Sequence, residues 1–289
     1  MARIMSEPSS RSALLRLLRR RFFFGARSGS RLVYENLDDA EVLRTWRAVL
    51  QGDRRTAKHR SVFCKDNPLV SVCITTSDRA AVLADRALTS MTQQTYKNLE
   101  VIIVGDRCDD NTDVVVAGFC DRRFKFFNLD TRGPYPRPGI DRWRVAGTNA
   151  ANFALQCARG DLVTHLDEDD TYEPHRIETL VRELQINEAD LVFHPFYWQN
   201  DDYSWKILGN GVLELGQTGT GLILYHKWFA KIPWDVYAFR LGEPGDWNRL
   251  RKLKALGANL HYVDEILARH WKYPVREEFV PKPGETFLE

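Results

Sequence analysis

The sequence predicts an α/β domain, a mostly parallel sheet with helices on both faces, preceded by an N-terminal helical extension. Three observations carry this. Four short, β-branched apolar runs recur between Leu69 and Leu166, each the length of a buried strand. Segments with helical spacing lie between them. Three of the runs end in polar clusters, as strands feeding a ligand crevice do. Strand and helix in regular alternation leave a parallel sheet as the arrangement.

Residues 1–36 read as a tail. Within it Ser10 to Arg21 reads SRSALLRLLRRR, followed by Phe22, Phe23 and Phe24. The arginines interrupt any signal-peptide core. Residues 10–24 have the composition of a basic amphipathic helix able to rest on an anionic membrane surface, a peripheral contact; a frayed tail or a docked helix is the plainer alternative. Apolar residues at 42, 43, 46, 49 and 50 predict a helix over 37–51, ended by Gly52. A polar, basic stretch over 53–67 leads to Pro68, where the regular part begins.

Leu69–Thr75 (LVSVCIT) is the first predicted strand and 80–91 the first helix of the domain, with Leu83, Ala87, Leu88 and Met91 on one face. Leu99–Gly105 (LEVIIVG) is the second strand, 111–119 a helix, and 124–129 the third strand. A Gly/Pro-rich loop follows from Gly133 to Gly139. A helix over 146–158 closes at Gly160 and leads into the fourth strand, 162–166, which ends in Asp167-Glu168-Asp169-Asp170. Pro174 opens a helix to about Gln185. Beyond it the pattern is weaker: Leu191-Val192-Phe193, a Trp/Tyr-rich stretch from Phe196 to Trp205, scattered glycines, and a helix from Asp246 to Leu256. The chain therefore divides at 1–67, 68–185 and 186–289.

Composition narrows the class. At 289 residues there is room for one large α/β domain or two small ones. A formal net charge of +2 gives no sign of a nucleic-acid partner. The five cysteines form no C-x-x-C pair, and their odd number fits a reducing, cytoplasmic compartment better than a disulfide framework. Cys73, inside an apolar run, reads as a core residue. No apolar run approaches the roughly 18–20 residues needed to span a bilayer.

Three strand ends carry the candidate chemistry: Thr76-Ser77-Asp78-Arg79, Asp106 to Asp110, and the quartet 167–170. The first two are placed to meet a nucleotide base and ribose. Four adjacent acids ionise together only at high cost unless a cation is near. A hard divalent ion, Mn2+ or Mg2+, takes one or two carboxylates plus substrate phosphates, and a diphosphate leaving group benefits from such a charge sink. The alternative for the quartet is an acidic turn capping the next helix. The phosphate-loop, G-x-G-x-x-G and G-x-S-x-G signatures are absent, so no kinase, dehydrogenase or esterase motif competes.

These segments resemble the family-2 inverting glycosyltransferases, whose fold is termed GT-A. Val70–Arg79 (VSVCITTSDR) is similar to the family's opening strand and turn. Thr95–Thr112 (TYKNLEVIIVGDRCDDNT) resembles its second strand and acidic nucleotide turn. Ala150–Gly160 (AANFALQCARG) resembles the helix before the metal strand, and Asp161–Pro174 (DLVTHLDEDDTYEP) resembles the strand with the D-x-D motif. The resemblance implies a Rossmann-like sheet and transfer of a sugar from a nucleotide-sugar donor, with UDP as the expected carrier, to an acceptor hydroxyl. On this reading 68–185 binds the nucleotide sugar and 186–289 the acceptor. It implies nucleotide contacts at Thr76, Asp78, Arg79, Asp106, Asn152 and Asp167, and metal or diphosphate contacts at Asp167, Asp169, Asp170 and His270. Asp246, in GEPGDWNRLRKL, matches the catalytic base, with Glu243 as its neighbour and rival. Two positions depart: Gly105 stands where many members have aspartate, and Thr75 where many have proline. The acceptor class stays open between carbohydrate, lipid-linked, natural-product and peptide hydroxyls. A nucleotidyltransferase on a related sheet and a non-catalytic sugar- or nucleotide-binding protein are the other readings. His165 reads as a core residue; Tyr197, Trp198, Tyr203, Trp205, Trp228 and Trp234 read as packing aromatics or sugar-stacking platforms.

Overall fold

The computed structural model describes residues 36–272 and 285–288. The basic stretch over 10–24, and with it the membrane contact expected there, lies outside them. Among the described residues no helix is long and apolar enough to cross a membrane.

The first helix, α1 (Ala40–Arg54), starts where the Asp39 carboxylate accepts the amides of Glu41 and Val42. It runs past Gly52, the expected stop. Gly52 keeps helical backbone there, and the break comes at Thr56, whose hydroxyl caps α2 (Ala57–Cys64) by accepting from the His59 amide. The sequence pattern did not reveal α2, because only His59 and Val62 of its eight residues are buried.

A seven-stranded sheet forms the centre, in the order β11-β7-β10-β5-β1-β2-β3. Its strands are β1 (Val70–Thr76), β2 (Leu99–Gly105), β3 (Phe124–Asn128), β5 (Leu162–Asp167), β7 (Leu191–Phe193), β10 (Ile223–His226) and β11 (Leu260–Tyr262). β1, β2, β3 and β5 run parallel, as expected. β10 breaks the pattern, antiparallel to both β5 and β7. Side chains alternate across each strand. Val70, Val72 and Ile74 therefore enter one core, and Cys73 enters the other, on the opposite face.

The first core is closed by the helical segment α3, residues 80–92, and by α7 (Arg176–Ile186). The second is closed by α6 (Thr148–Cys157), α1 and α8 (Gly245–Ala255). α3 is not uniform: Ala84–Leu88 is π-helical between the α-turns Ala80–Leu83 and Thr89–Thr92, and the Thr89 hydroxyl bonds the Ala84 carbonyl at 2.7 Å. The Gly/Pro loop holds β4 (Tyr135–Pro136), and a helix the pattern did not reveal, α5 (Ile140–Val145), follows it. β4 pairs with the last described segment, β13 (Phe287–Leu288). α4 (Thr112–Gly118) joins β2 to β3.

A second sheet, ordered β6-β12-β8-β9, sits beyond β5 and gathers β6 (Thr171–Tyr172), β8 (Phe196–Gln199), β9 (Trp205–Leu208) and β12 (Ala268–His270). The Trp/Tyr-rich stretch and the last histidine thus share one small sheet. The cysteines described are all free thiols, and Cys73 is buried.

Candidate active site

Register decides what meets at the crevice. Thr76 of β1 lies beside Gly105 of β2, and Thr75 lies beside Asp167 of β5. The chain leaves β1 toward β2 and β3 on one side and reaches β5 on the other, so the carboxyl ends of β1, β2 and β5 form a topological switch point. The three polar clusters read from the sequence converge there.

On the β2 side, Asp106 follows the strand and is 4% exposed. Its amide bonds the Thr76 carbonyl at 2.8 Å, and its Oδ2 accepts the Tyr135 hydroxyl at 2.9 Å. Burial raises its pKa against the pull of that hydrogen bond and of Arg132. Asp106 Oδ1 and the Thr76 hydroxyl are both buried without a well-formed hydrogen bond, although the Gly133 amide stands near the Asp106 carboxylate and Glu168 near the hydroxyl. Polar atoms of this kind are rare in interiors and mark either strain or a ligand position. Arg132, which the sequence did not single out, crosses the crevice to the Asp106 carbonyl, the Ser77 hydroxyl and Asp78. Asp78 has positive φ, and its carboxylate also accepts the Asp109 amide at 2.7 Å.

On the β5 side the acids differ in their partners. Asp167 reaches solvent but stands deep among protein atoms. That setting, with Asp170 and Asp169 beside it, raises its pKa. Glu168 accepts the Ser77 amide and Arg79 at 3.1 Å; burial and Asp169 still push it up to about 7. Asp169 is buried, raised by burial and by Asp170, and 3.9 Å from Arg79. Its carbonyl accepts Arg86, which the π-helical stretch aims at it, at 3.0 Å. Asp170 Oδ2 pairs with His270 Nδ1 at 2.9 Å, and Oδ1 accepts the Trp271 amide. Burial works against protonation of His270, but Asp170, Asp167 and Asp169 outweigh it and hold its pKa up at about 9. Trp198 stacks on the His270 ring at 4.3 Å.

From the second half, Asp246 enters in the first turn of α8. Pro244 occupies the capping position, so Asp246 is not the helix cap. Its Oδ1 accepts the neighbouring Trp247 amide at 2.7 Å, and its Oδ2 lies 3.4 Å from where a side chain on Gly219 would begin. Burial raises its pKa, and it lies close enough to Asp167 to raise that group's pKa as well. The rival Glu243 is already engaged by Arg251, at 2.7 and 2.8 Å, and by Asn248 at 2.6 Å.

Asn152, expected at the nucleotide, has its amide engaged within the protein: Nδ2 donates to the Trp234 carbonyl at 3.0 Å, and Oδ1 accepts the Trp234 amide at 2.8 Å. The ring of Trp234 in turn packs on His165, 4.8 Å between centroids.

This arrangement agrees with a match to the Glycosyl transferase family 2 model over residues 71–243. The chain belongs to glycosyl transferase family 2. Within that family it resembles glycosyltransferase GlyG of Streptococcus pneumoniae serotype 4, 29% identical over 107 residues, covering 36% of this chain and 32% of the relative. It also resembles the putative colanic acid biosynthesis glycosyl transferase WcaA of Escherichia coli K12, 30% identical over 140 residues, covering 47% of this chain and 44% of the relative. The match thus spans less than half the length of either relative. S. aureus TarS 1–349 in complex with UDP-GlcNAc shares the fold, with a TM-score of 0.56 at 19% identity, over 72% of this chain and 59% of that one.

The family frame explains one departure. A side chain on Gly105 would begin 2.6 Å from Asn128 Oδ1 and 2.9 Å from Cys108 Sγ. Asn128 fills that space by bonding the Cys108 amide and carbonyl at 2.8 and 2.7 Å. Here an asparagine on β3 braces the turn that an aspartate at position 105 would otherwise crowd. Asp78, Cys108 and Asp110 bring donor atoms within 4.8 Å of one another, the one such trio among the described residues. Backbone already uses it: Asp110 accepts Ala80 and Thr112, joining the starts of α3 and α4. Cys108 accepts the Asp78 amide, and burial pushes its thiol up to about 11. The trio locks a turn. The quartet at β5 suits a divalent ion in kind, with oxygen donors crowded enough to hold protons. Its protein donors are not gathered as a three-ligand cage, so phosphate oxygens would have to complete the shell.

Proposed function

We propose that this chain is an inverting glycosyltransferase that moves a sugar from a UDP-sugar to an acceptor hydroxyl. The observation that carries this reading is the meeting of Asp246, from the second half, with Asp167, Asp169, Asp170 and His270 beside the crevice that buries Asp106 and Thr76. A base on one side and a charge-handling cluster on the other are what single displacement at an anomeric carbon needs.

In this mechanism the nucleoside lies against Asp106, Thr76 and Arg132, where the buried carboxylate and hydroxyl meet the base or ribose and Arg132 can only donate. Asp246 takes the proton from the acceptor hydroxyl as its oxygen bonds the anomeric carbon. The carbon–oxygen bond to phosphate breaks on the opposite face, and nucleoside diphosphate leaves with the electron pair. The raised pKa of Asp246 makes it the stronger base. Asp167 and Asp169, with Asp170 adjoining, would hold Mn2+ or Mg2+, which would supply positive charge against the departing diphosphate. Protonated His270, Arg79 and Arg86 add to that charge. On this reading residues 68–185 hold the donor and 186–289 the acceptor; the neighbour TarS, crystallised with UDP-GlcNAc, supports a UDP-linked donor.

Calorimetry with UDP, GDP and dTDP, each with and without manganese, tests the reading. Manganese-dependent binding of UDP is expected; a protein that binds none of the three is not this enzyme.

A further inference from the structure

We propose that Arg249, Tyr225 and His165 form a buried brace that sets the separation between Asp246 and Asp167, making Arg249 and Tyr225 positioning residues for the transfer step. The inference rests on the glycosyl-transfer reading above.

Arg249 lies one helical turn beyond Asp246 on α8 and is fully buried. Among the described residues no carboxylate pairs with it. Its Nε donates to the Ile232 carbonyl at 3.0 Å, and its Nη2 donates to the Phe229 carbonyl at 3.2 Å and the Tyr225 hydroxyl at 2.9 Å. The guanidinium carbon lies 4.7 Å from the Trp234 ring centroid and 4.8 Å from that of Tyr225. Tyr225, on β10, meets His165 Nε2 at 2.8 Å. His165 precedes Asp167 by two residues on β5.

Arginine only donates, so the Tyr225 oxygen accepts from it. The same hydroxyl hydrogen-bonds His165 Nε2, donating or accepting according to the imidazole tautomer. The path therefore runs from Asp246 through one turn of α8 to Arg249, Tyr225 and His165, and along two residues of β5 to Asp167. Asn152 holds Trp234 against it by both backbone groups.

A buried cation without a counter-ion is an expensive way to fill a core that leucine or methionine could pack. What it adds is direction: fixed donors on α8, a bridge on β10, a partner on β5. Those are the elements that carry the base and the charge cluster. Displacement of a reacting group by about 1 Å can cost about a hundredfold in rate.

Tyr225→Phe keeps the ring and removes the bridging hydroxyl. UDP affinity by calorimetry should stay within about twofold of the parent's, while turnover of the UDP-sugar the parent uses best should fall about tenfold. Arg249→Lys keeps the charge and a donor and should retain more turnover than Arg249→Met; it is also the variant to use if Tyr225→Phe melts below the assay temperature. Parental turnover with a lowered melting temperature would make the brace structural only, and so would UDP affinity falling in step with turnover. A parent that neither binds UDP nor turns over any UDP-sugar overturns the glycosyl-transfer reading itself, and this inference with it.

Discussion

The two ends of the central strands treat carboxylates in opposite ways. At the amino end, Glu100 of β2 is 4% exposed and fully partnered. It accepts Ser71 of β1 at 2.8 Å, Lys125 of β3 at 2.8 Å, and the amide and guanidinium of Arg159. These contacts outweigh burial and hold its pKa down at about 2. At the carboxyl end Asp106, Asp167, Glu168 and Asp169 are all shifted the other way. The first arrangement stabilises the fold; the second stores unfavourable charge where a ligand can relieve it. Perturbed acids gathered in a crevice mark function, and paired ones mark structure.

Substitutions at the carboxyl end should therefore damage activity more than folding. Asp246→Asn should have the largest effect, slowing transfer by about a hundred- to ten-thousandfold, the usual size of general-base catalysis. Asparagine keeps the side chain's size and its hydrogen bond to Trp247, so UDP binding and melting temperature should hold. Glu243→Gln is the control; if it loses turnover while Asp246→Asn keeps it, the base has been misassigned. Next, Asp169→Asn should weaken manganese-dependent UDP binding by about tenfold or more, since it removes a charged oxygen donor. Its melting temperature without metal should not fall, because one repelling charge has gone. Unchanged affinity with manganese would move the metal elsewhere. Asp106→Ala should weaken UDP binding by about tenfold and leave turnover at saturating donor nearly intact, because its contacts are the same in ground and transition states. A fall in kcat at constant KM would contradict that role.

The same contrast governs what could be read from sequence. β1, β2 and β5 announce themselves as apolar runs, and parallel register alone brings Thr76, Asp106 and Asp167 together. The second half offers no such rule. β10 runs antiparallel between β5 and β7, and nothing in Ile223–His226 signals its direction. α2 buries only two of its eight residues, and α5 exposes Ile140 and Trp143 while burying Arg142, so periodicity is silent. Arg132 and Arg249 matter through distant carbonyls and hydroxyls, which spacing does not encode. The partner of Asn152, Trp234, lies 82 residues away and is hidden from spacing in the same way. The π-helical stretch in α3, from which Arg86 reaches the Asp169 carbonyl, leaves an ordinary helical pattern in sequence.

The smallest effect, and the sharpest test of the contrast, is at Glu100. Its folded-state pKa, about 2, is depressed below the ordinary glutamate value of 4.5. A depressed carboxylate contributes stability that is present above its unfolded pKa and lost as pH falls toward the folded one. The window is therefore about pH 4.5 down to about 2. The full shift overstates the gain, because Arg159 and Lys125 are themselves solvent-facing and screened, so a contribution of about 1–2 kcal/mol remains. Glu100→Gln keeps the shape and an acceptor but loses the charge. It should melt lower than the parent at neutral pH, and the difference should shrink as the pH falls from about 4.5 toward about 2, where the folded parent takes up the proton. Turnover and UDP affinity at 25 °C should be parental, since Glu100 sits at the end of β2 opposite the crevice. If Glu100→Gln instead lowers UDP affinity while its melting temperature stays put at every pH, the two ends of the sheet do not divide structure from function as their carboxylates indicate.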